Sequence, residues 1–189
     1  MTSKIEDLIR DLLPTAPEIG LFVAPNIPED KVRGALKDYA KSVKRGDVLA
    51  QYDATWMGNG SDGAIFTADR MVFQNHDLSP TQEIRYEDIV QVTTKKKFIG
   101  GRKVYVDANR GRATVPFVID FSGKPKAAEY VARFLQEAML ATIVDEAVSR
   151  TETRTTNVNA VEQVLNELRD AGKLTDEDLK GMMSVISNS

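Results

Sequence analysis

From Val48 to Phe121 the chain is cut into short runs of alternating and β-rich residues separated by turn signals, and this constrains the fold more than any other feature. Strands are expected over 48–56, 63–67, 71–74, 83–86, 89–97, 103–107 and 112–121, with turns at 57–62, 68–70, 76–80, 99–101 and 109–111. Seven short strands with tight connections predict an antiparallel barrel or sandwich. If alternation holds along the first strand, Tyr52, Ala54 and Trp56 share one face, and Asp53 and Thr55 share the other.

Beyond the strands the period changes. Lys124-Pro125 opens a long helix reaching about Ser149, with Ala128, Val131, Leu135, Met139 and Thr142 on one face. Phe134, Ala138, Ala141, Val144 and Val148 widen that face beyond a simple surface stripe. Such a helix is roughly 35–40 Å long, whereas the strands of a small barrel span only ~20 Å. One helix end therefore overhangs with apolar residues still showing. Ahead of the strands, Ser3 and Glu6 suit a capping box for a first short helix carrying Ile5, Leu8, Ile9, Leu12 and Leu13. A second helix is expected from Pro28 to Lys44-Arg45-Gly46, burying Val32, Leu36, Tyr39, Ala40 and Val43. The expected organisation is α+β: an N-terminal helical region (1–46), the strands with their long capping helix (47–150), a polar linker (151–159) and a terminal helical hairpin (160–189).

The hairpin is written in capping signals. Val164, Leu165 and Leu168 supply an apolar stripe, and Gly172 suits the left-handed residue that stops a helix. Thr175 can cap a second helix bearing Leu179, Met182, Met183 and Ile186. Two helices this short cannot bury their apolar faces alone.

Bulk properties exclude several classes. The 189 residues include 25 Lys and Arg against 28 Asp and Glu, a net charge of −3 that speaks against a nucleic-acid binder. There is no cysteine, which removes disulfides, thiolate chemistry and Cys-ligated zinc and fits a cytoplasmic protein. The charged N-terminus lacks the apolar core of a signal peptide, and the longest apolar run, 139–144, is far short of the ~20 residues of a membrane helix.

Seven antiparallel strands closed by one C-terminal helix is the order of a pleckstrin-homology-like domain. The stretch Arg45-Gly46-Asp47-Val48-Leu49-Ala50-Gln51-Tyr52-Asp53-Ala54-Thr55, with Asp62-Gly63-Ala64-Ile65-Phe66-Thr67, resembles the opening of bacterial members of that group. Leu165-Asn166-Glu167-Leu168-Arg169-Asp170-Ala171-Gly172-Lys173-Leu174-Thr175-Asp176-Glu177-Asp178-Leu179 resembles a SHOCT module, the short C-terminal domain of many bacterial proteins. Leu179 stands where an aromatic is typical, and Gly181-Met182-Met183 replaces a more basic tail. The resemblance implies a seven-stranded barrel, homo-oligomerisation and no catalytic activity.

Chemical signals are sparse. Gly58-Asn59-Gly60-Ser61-Asp62-Gly63 has dinucleotide-loop spacing, but a strand comes after it rather than a helix, so it reads as a glycine-rich hairpin turn. His76 is the only histidine, in a polar loop without the convergent ligands of a metal site or the partner of a catalytic base. Asp53 reads as a surface or turn-anchoring group. No catalytic residue, cofactor or metal is expected. Lys95, Lys96, Lys97, Arg102, Lys103, Arg110 and Arg112 are the strongest charge feature. They read either as an anion-binding patch at one end of the barrel, for the lipid headgroups of an anionic membrane surface, nucleic-acid phosphate or an acidic partner, or as solvated strand lysines that discourage aggregation. For self-association or docking of a protein partner the residues indicated are Met139, Leu140, Ile143, Val164, Leu165, Leu168, Leu174, Leu179, Met182 and Met183, the methionines suiting adaptable contacts.

Overall fold

A computed structural model describes residues 4–96, 101–170 and 175–187. The chain divides into two compact units, Met1–Ile143 and Val144–Ser189. In order, the elements are α1 (Lys4–Leu12), β1 (Leu21–Val23), α2 (Glu29–Lys37), β2 (Ala50–Asp53), β3 (Gly63–Phe66), β4 (Arg70–Gln74), β5 (Gln82–Arg85), β6 (Ile89–Lys96), β7 (Arg102–Arg110), β8 (Ala113–Asp120), α3 (Ala127–Asp170) and α4 (Asp176–Ser187).

The fold is α+β. All seven expected strands form, and every described pairing is antiparallel. They do not close into one barrel. The described strands make a five-stranded sheet, β1-β2-β3-β4-β5, and a three-stranded sheet, β6-β7-β8. The break has a local cause: between β5 and β6 the chain makes a 3₁₀ turn at Tyr86–Asp88 and crosses from one sheet to the other. Tyr86 is buried there, its hydroxyl donating to the carbonyls of Thr67 and Arg70.

The eighth strand, β1, is not anticipated by the sequence, where 21–28 is only a lead-in. Leu21, Phe22 and Val23 pair with Tyr52, Gln51 and Ala50. Three residues buried on both faces carry no alternation to recognise. Gly20, at a φ of 74°, lets the chain turn into β1, and an added side chain there would strike the Asp53 carbonyl.

The five-stranded sheet is buried on both faces, each face by a different set. Ala50, Tyr52, Ala64, Phe66, Met71, Phe73 and Ile84 face the main core, with α1, the three-stranded sheet and the first turns of α3. Phe22, Ile65 and Val72 face the other way and pack with Val32, Ala35, Tyr39, Ala40, Val43 and Val48. Residues 4–46 lie in the same compact unit as both sheets. Helix α2 ends at Lys37, well before the expected Val43. Tyr39, Ala40 and Val43 are still buried, but they reach the sheet through irregular turns.

Helix α3 begins as expected and buries Ala127, Ala128, Val131, Phe134, Leu135, Ala138 and Ala141. Phe134 stands edge-on to Phe66 and Tyr86, with ring centroids 5.7 and 5.4 Å away. In the second unit, residues 151–159, read from composition as a linker, are helical and part of α3. Threonine-rich composition misleads here because helix propensities differ by only ~0.7 kcal/mol per residue. Helix α4 starts one residue after Thr175, the expected cap position. No described helix is long and apolar enough to cross a membrane.

Candidate functional site

The most densely bonded polar cluster sits where β2 ends. Asp53 is the last residue of β2, on the face opposite the core side chain of Tyr52, and is only 1% exposed. An isolated carboxylate at such a position is costly, so it must be paired and hydrogen-bonded. Lys31, from the first turn of α2, supplies the charge: its Nζ lies 2.7 Å from Asp53 Oδ2. Thr55 supplies the rest, donating from its backbone N at 2.9 Å and its Oγ1 at 2.5 Å to Asp53 Oδ1. Burial pushes the Asp53 carboxyl up, but the bonds from Lys31 and Thr55 outweigh it and hold the carboxyl below its usual value.

Lys31 has two further anchors, the carbonyl of Gly58 and the face of the Phe22 ring, 5.2 Å away. From the far side of the sequence, Lys124 donates to the Asp53 backbone carbonyl at 2.5 Å. Burial lowers the pKa of the Lys124 ammonium; the Asp53 charge opposes that and the Lys31 charge adds to it. These groups line a pocket of about 430 Å³ together with Glu18, Ala54, Trp56, Met57 and Gly123.

The loop from Ala54 to Asp62 grows out of this cluster. Asn59 N donates to Thr55 Oγ1 at 3.0 Å, and Ser61 N and Oγ both donate to Asn59 Oδ1. Gly58 and Gly60 adopt positive φ, as a glycine-rich hairpin requires. The loop lies so close to α2 that a methyl group on Gly34 would fall 1.9 Å from the Asn59 carbonyl oxygen. Chemically the cluster is a brace. Both Asp53 oxygens accept hydrogen bonds, Oδ2 from Lys31 and Oδ1 twice from Thr55, and these bonds hold the loop to the strand. Asp53 is thus the turn anchor that the sequence suggests. Trp56, expected on the Tyr52 face, is instead fully exposed, because β2 stops at Asp53 and alternation stops with it.

The neighbouring loop, 75–81, joins β4 to β5 at the same end of the sheet. Asn75 ties it to β8, donating to the Val118 carbonyl at 2.8 Å and accepting from Asp120 N at 2.9 Å. His76 is a turn residue whose backbone N and O are both bonded to Ser79 Oγ. Asp62 meets Asp77 across the two loops; burial and then the Asp77 charge raise its pKa, with His76 opposing. Asp62 Oδ1 is buried without a hydrogen-bond partner among the described residues. A carboxyl with a raised folded-state pKa adds stability in acid, below its unfolded value, and loses it as pH rises through the folded value. Asp62→Asn is therefore expected to raise the melting temperature at pH 7 by about 2 °C, with the gain vanishing towards pH 4. Thermal unfolding across that range measures it, and an equal gain at every pH counts against the Asp62–Asp77 repulsion.

The six described cations of the seven indicated by the sequence are not gathered at one end. Lys95 stands opposite Lys103, and Lys96 opposite Arg102, at one end of the three-stranded sheet. Arg110 lies at the other end of β7, eight residues along, or roughly 26 Å. Arg112 is exposed beyond it, at the β7–β8 turn. Several are engaged locally: Arg102 with Glu129, Lys103 with Asp120 at 3.9 Å, Lys95 over the Tyr105 ring, and Arg110 with the Glu83 carbonyl and over Phe117. Lys97 lies outside the described residues.

Of the indicated interface residues, Leu140 and Ile143 are about half exposed and Met139 is partly buried. In the second unit Val164 and Met182 are about half exposed, while Leu165, Leu179 and Met183 are intermediate. Leu168 lies within α3, and Leu174 is outside the described residues. Among the described residues no group of three or more His, Asp or Glu side chains is placed to hold a metal ion. Sequence reasoning passed over Lys31 and Lys124. Their one signal was an aspartate inside a strand, which once buried demands a cation from somewhere else in the chain.

No family model, no curated protein and no solved structure matches this chain.

Proposed function

We propose that this is a non-enzymatic interaction protein that self-associates, or docks a protein partner, through its C-terminal helices. On this reading strands β2–β8 and the start of α3 are a pleckstrin-homology-like scaffold with β1 added at its edge, and the terminal hairpin is a SHOCT-like module working in the cytoplasm. The observation that carries the reading is the apolar surface left on these helices: Leu140 and Ile143 one turn apart in the first unit, Val164 and Met182 in the second, each about half exposed. Contact with another copy would remove that surface from water, and burial stabilises by ~25 cal/mol per Å². The described basic residues lend less to the rival reading, a polyanion-binding hairpin, because they are split between two ends of a strand and several are already paired.

Light scattering of the full chain is expected to give a multiple of the chain mass at micromolar concentration. Replacing Leu140, Ile143 and Met182 together with glutamate, all at exposed positions, is expected to return the mass to one chain while leaving the circular dichroism spectrum intact. A native protein that stays monomeric at every concentration overturns self-association.

A further inference from the structure

The two loops at one end of the five-stranded sheet expose large apolar side chains on rigid frames. Trp56 is fully exposed, Met57 is 87% exposed and Leu78 is 92% exposed. Each residue sits at a loop tip whose backbone is bonded on both sides. Lys31, Asp53, Thr55 and Asn59 hold the first loop, and Asn75, Gln74 and Ser79 hold the second. The loops also meet each other through Asp62 and Asp77. These bonds hold the loop backbones before anything binds, so less backbone ordering remains to oppose binding of the apolar tips.

The edge is made of loop tips whose three apolar side chains project almost fully into solvent, Trp56 and Met57 beside the mouth of the pocket at Asp53. Its charge is mixed. Lys31, Lys103 and Lys124 lie at this end, and Glu18, Asp53, Asp62, Asp77 and Asp120 lie among them. Lys31 and Asp53 are buried and paired with each other and Lys103 lies 3.9 Å from Asp120, which sets Lys124 against Glu18, Asp62 and Asp77 and gives no attraction for an anionic surface. A phosphocholine layer presents both signs, which such an edge complements, and tryptophan favours that boundary because its ring is apolar with one polar N–H.

We propose that Trp56, Met57 and Leu78 form an insertion edge for a zwitterionic lipid surface, driven by apolar burial and indifferent to headgroup charge. The proposal is independent of self-association through the helices and of the basic residues on β6–β8. Trp56 is the only tryptophan in the chain, so the native protein carries its own reporter.

The test is intrinsic fluorescence of the full chain titrated with vesicles of phosphatidylcholine alone, and with phosphatidylglycerol added. The emission is expected to be that of a water-exposed indole without lipid. It should shift to the blue on both vesicle types to a similar extent, at low and high salt, and be quenched by brominated acyl chains. Met57→Ser and Leu78→Ser keep the reporter and are each expected to weaken partitioning about tenfold. Both positions are solvent-exposed, and unchanged melting curves would confirm that folding is unaffected. The proposal is overturned if no shift occurs on phosphatidylcholine. Binding only to the anionic vesicles, with loss in salt, overturns it too and points to the basic residues instead. Emission already blue-shifted without lipid overturns it in favour of a protein neighbour on this edge, and undiminished partitioning of both serine variants removes these side chains from the contact.

Discussion

Replacing Asp53 with alanine is expected to cost about 3 kcal/mol of folding stability, the low end for breaking a buried ion pair. In melting temperature that is a loss of about 6–12 °C for a chain of this length. The low end applies because the partner is not wholly sealed: the Lys31 side chain retains 15% exposure and keeps the Gly58 carbonyl and the Phe22 ring. What the variant loses is the compensation for a buried ammonium and the acceptor for both Thr55 donors. Removing the lysine as well should reverse most of the loss. In Asp53→Ala/Lys31→Met no charge is left stranded, and an apolar pair in place of a buried ionic one is near neutral. The pH dependence has a definite sign. The folded-state carboxyl sits below its usual value, so its contribution is present above that value and is lost as pH falls through the lower one. The gap between native and Asp53→Ala melting temperatures should therefore close in acid, below about pH 4. A single variant within 1 °C of native, or a double variant worse than the single, would show that the brace is not held by this pair.

That brace also shows where sequence reading reaches and where it stops. Strand positions were legible because alternation and turn residues are local. Each of the seven expected strands lies within a few residues of its structural counterpart. The glycine-rich loop was correctly separated from a nucleotide loop by the strand character of its C-terminal flank, since β3 begins at Gly63. Missing were the features set by contacts distant in sequence. Strand β1 exists only through its pairing with β2, about thirty residues later. Helix α2 stops at Lys37 without a glycine or proline to mark the stop, because the residues beyond it are pulled onto Ile65 and Val72 instead. The division into two sheets rests on the Tyr86 turn, which in the sequence is simply a short polar gap between strands.

The candidate site was less legible for the same reason. Lys31, Asp53 and Lys124 are separated by 22 and 71 positions, and no spacing rule links them. The basic segment was conspicuous because its members are close in sequence, yet a nine-residue strand carries them to opposite ends. Sequence proximity overstated that patch and hid the Asp53 brace. Trp56 shows the reverse error: a strand pattern that ran three residues too far put it on the face of Tyr52, whereas its side chain is fully exposed.

Phe134→Ala is expected to be the more damaging of the two principal changes, at about 4 kcal/mol, within the range for truncating a buried phenylalanine. The ring is completely buried on α3 and stands edge-on to Phe66 of β3 and Tyr86 of the turn between the sheets. It therefore touches both sides of the point where the seven strands fail to close. A cavity there cannot be filled by sliding one sheet, because the Tyr86 hydroxyl is fixed to the Thr67 and Arg70 carbonyls. The two edge-to-face pairs add roughly 0.5–1.5 kcal/mol each to the transfer cost, which keeps the loss above that for a simple aliphatic site. Phe134→Leu retains most of the volume but neither ring contact, and should cost about half as much. Urea unfolding of all three proteins, followed by far-ultraviolet circular dichroism, separates the contributions. The leucine variant reports the rings, and the further drop to alanine reports the cavity. If alanine costs less than about 1 kcal/mol, the site collapses freely. The junction between the sheets would then have to be held by Tyr52 and Phe121, whose rings lie 4.6 Å apart on the other side of the core.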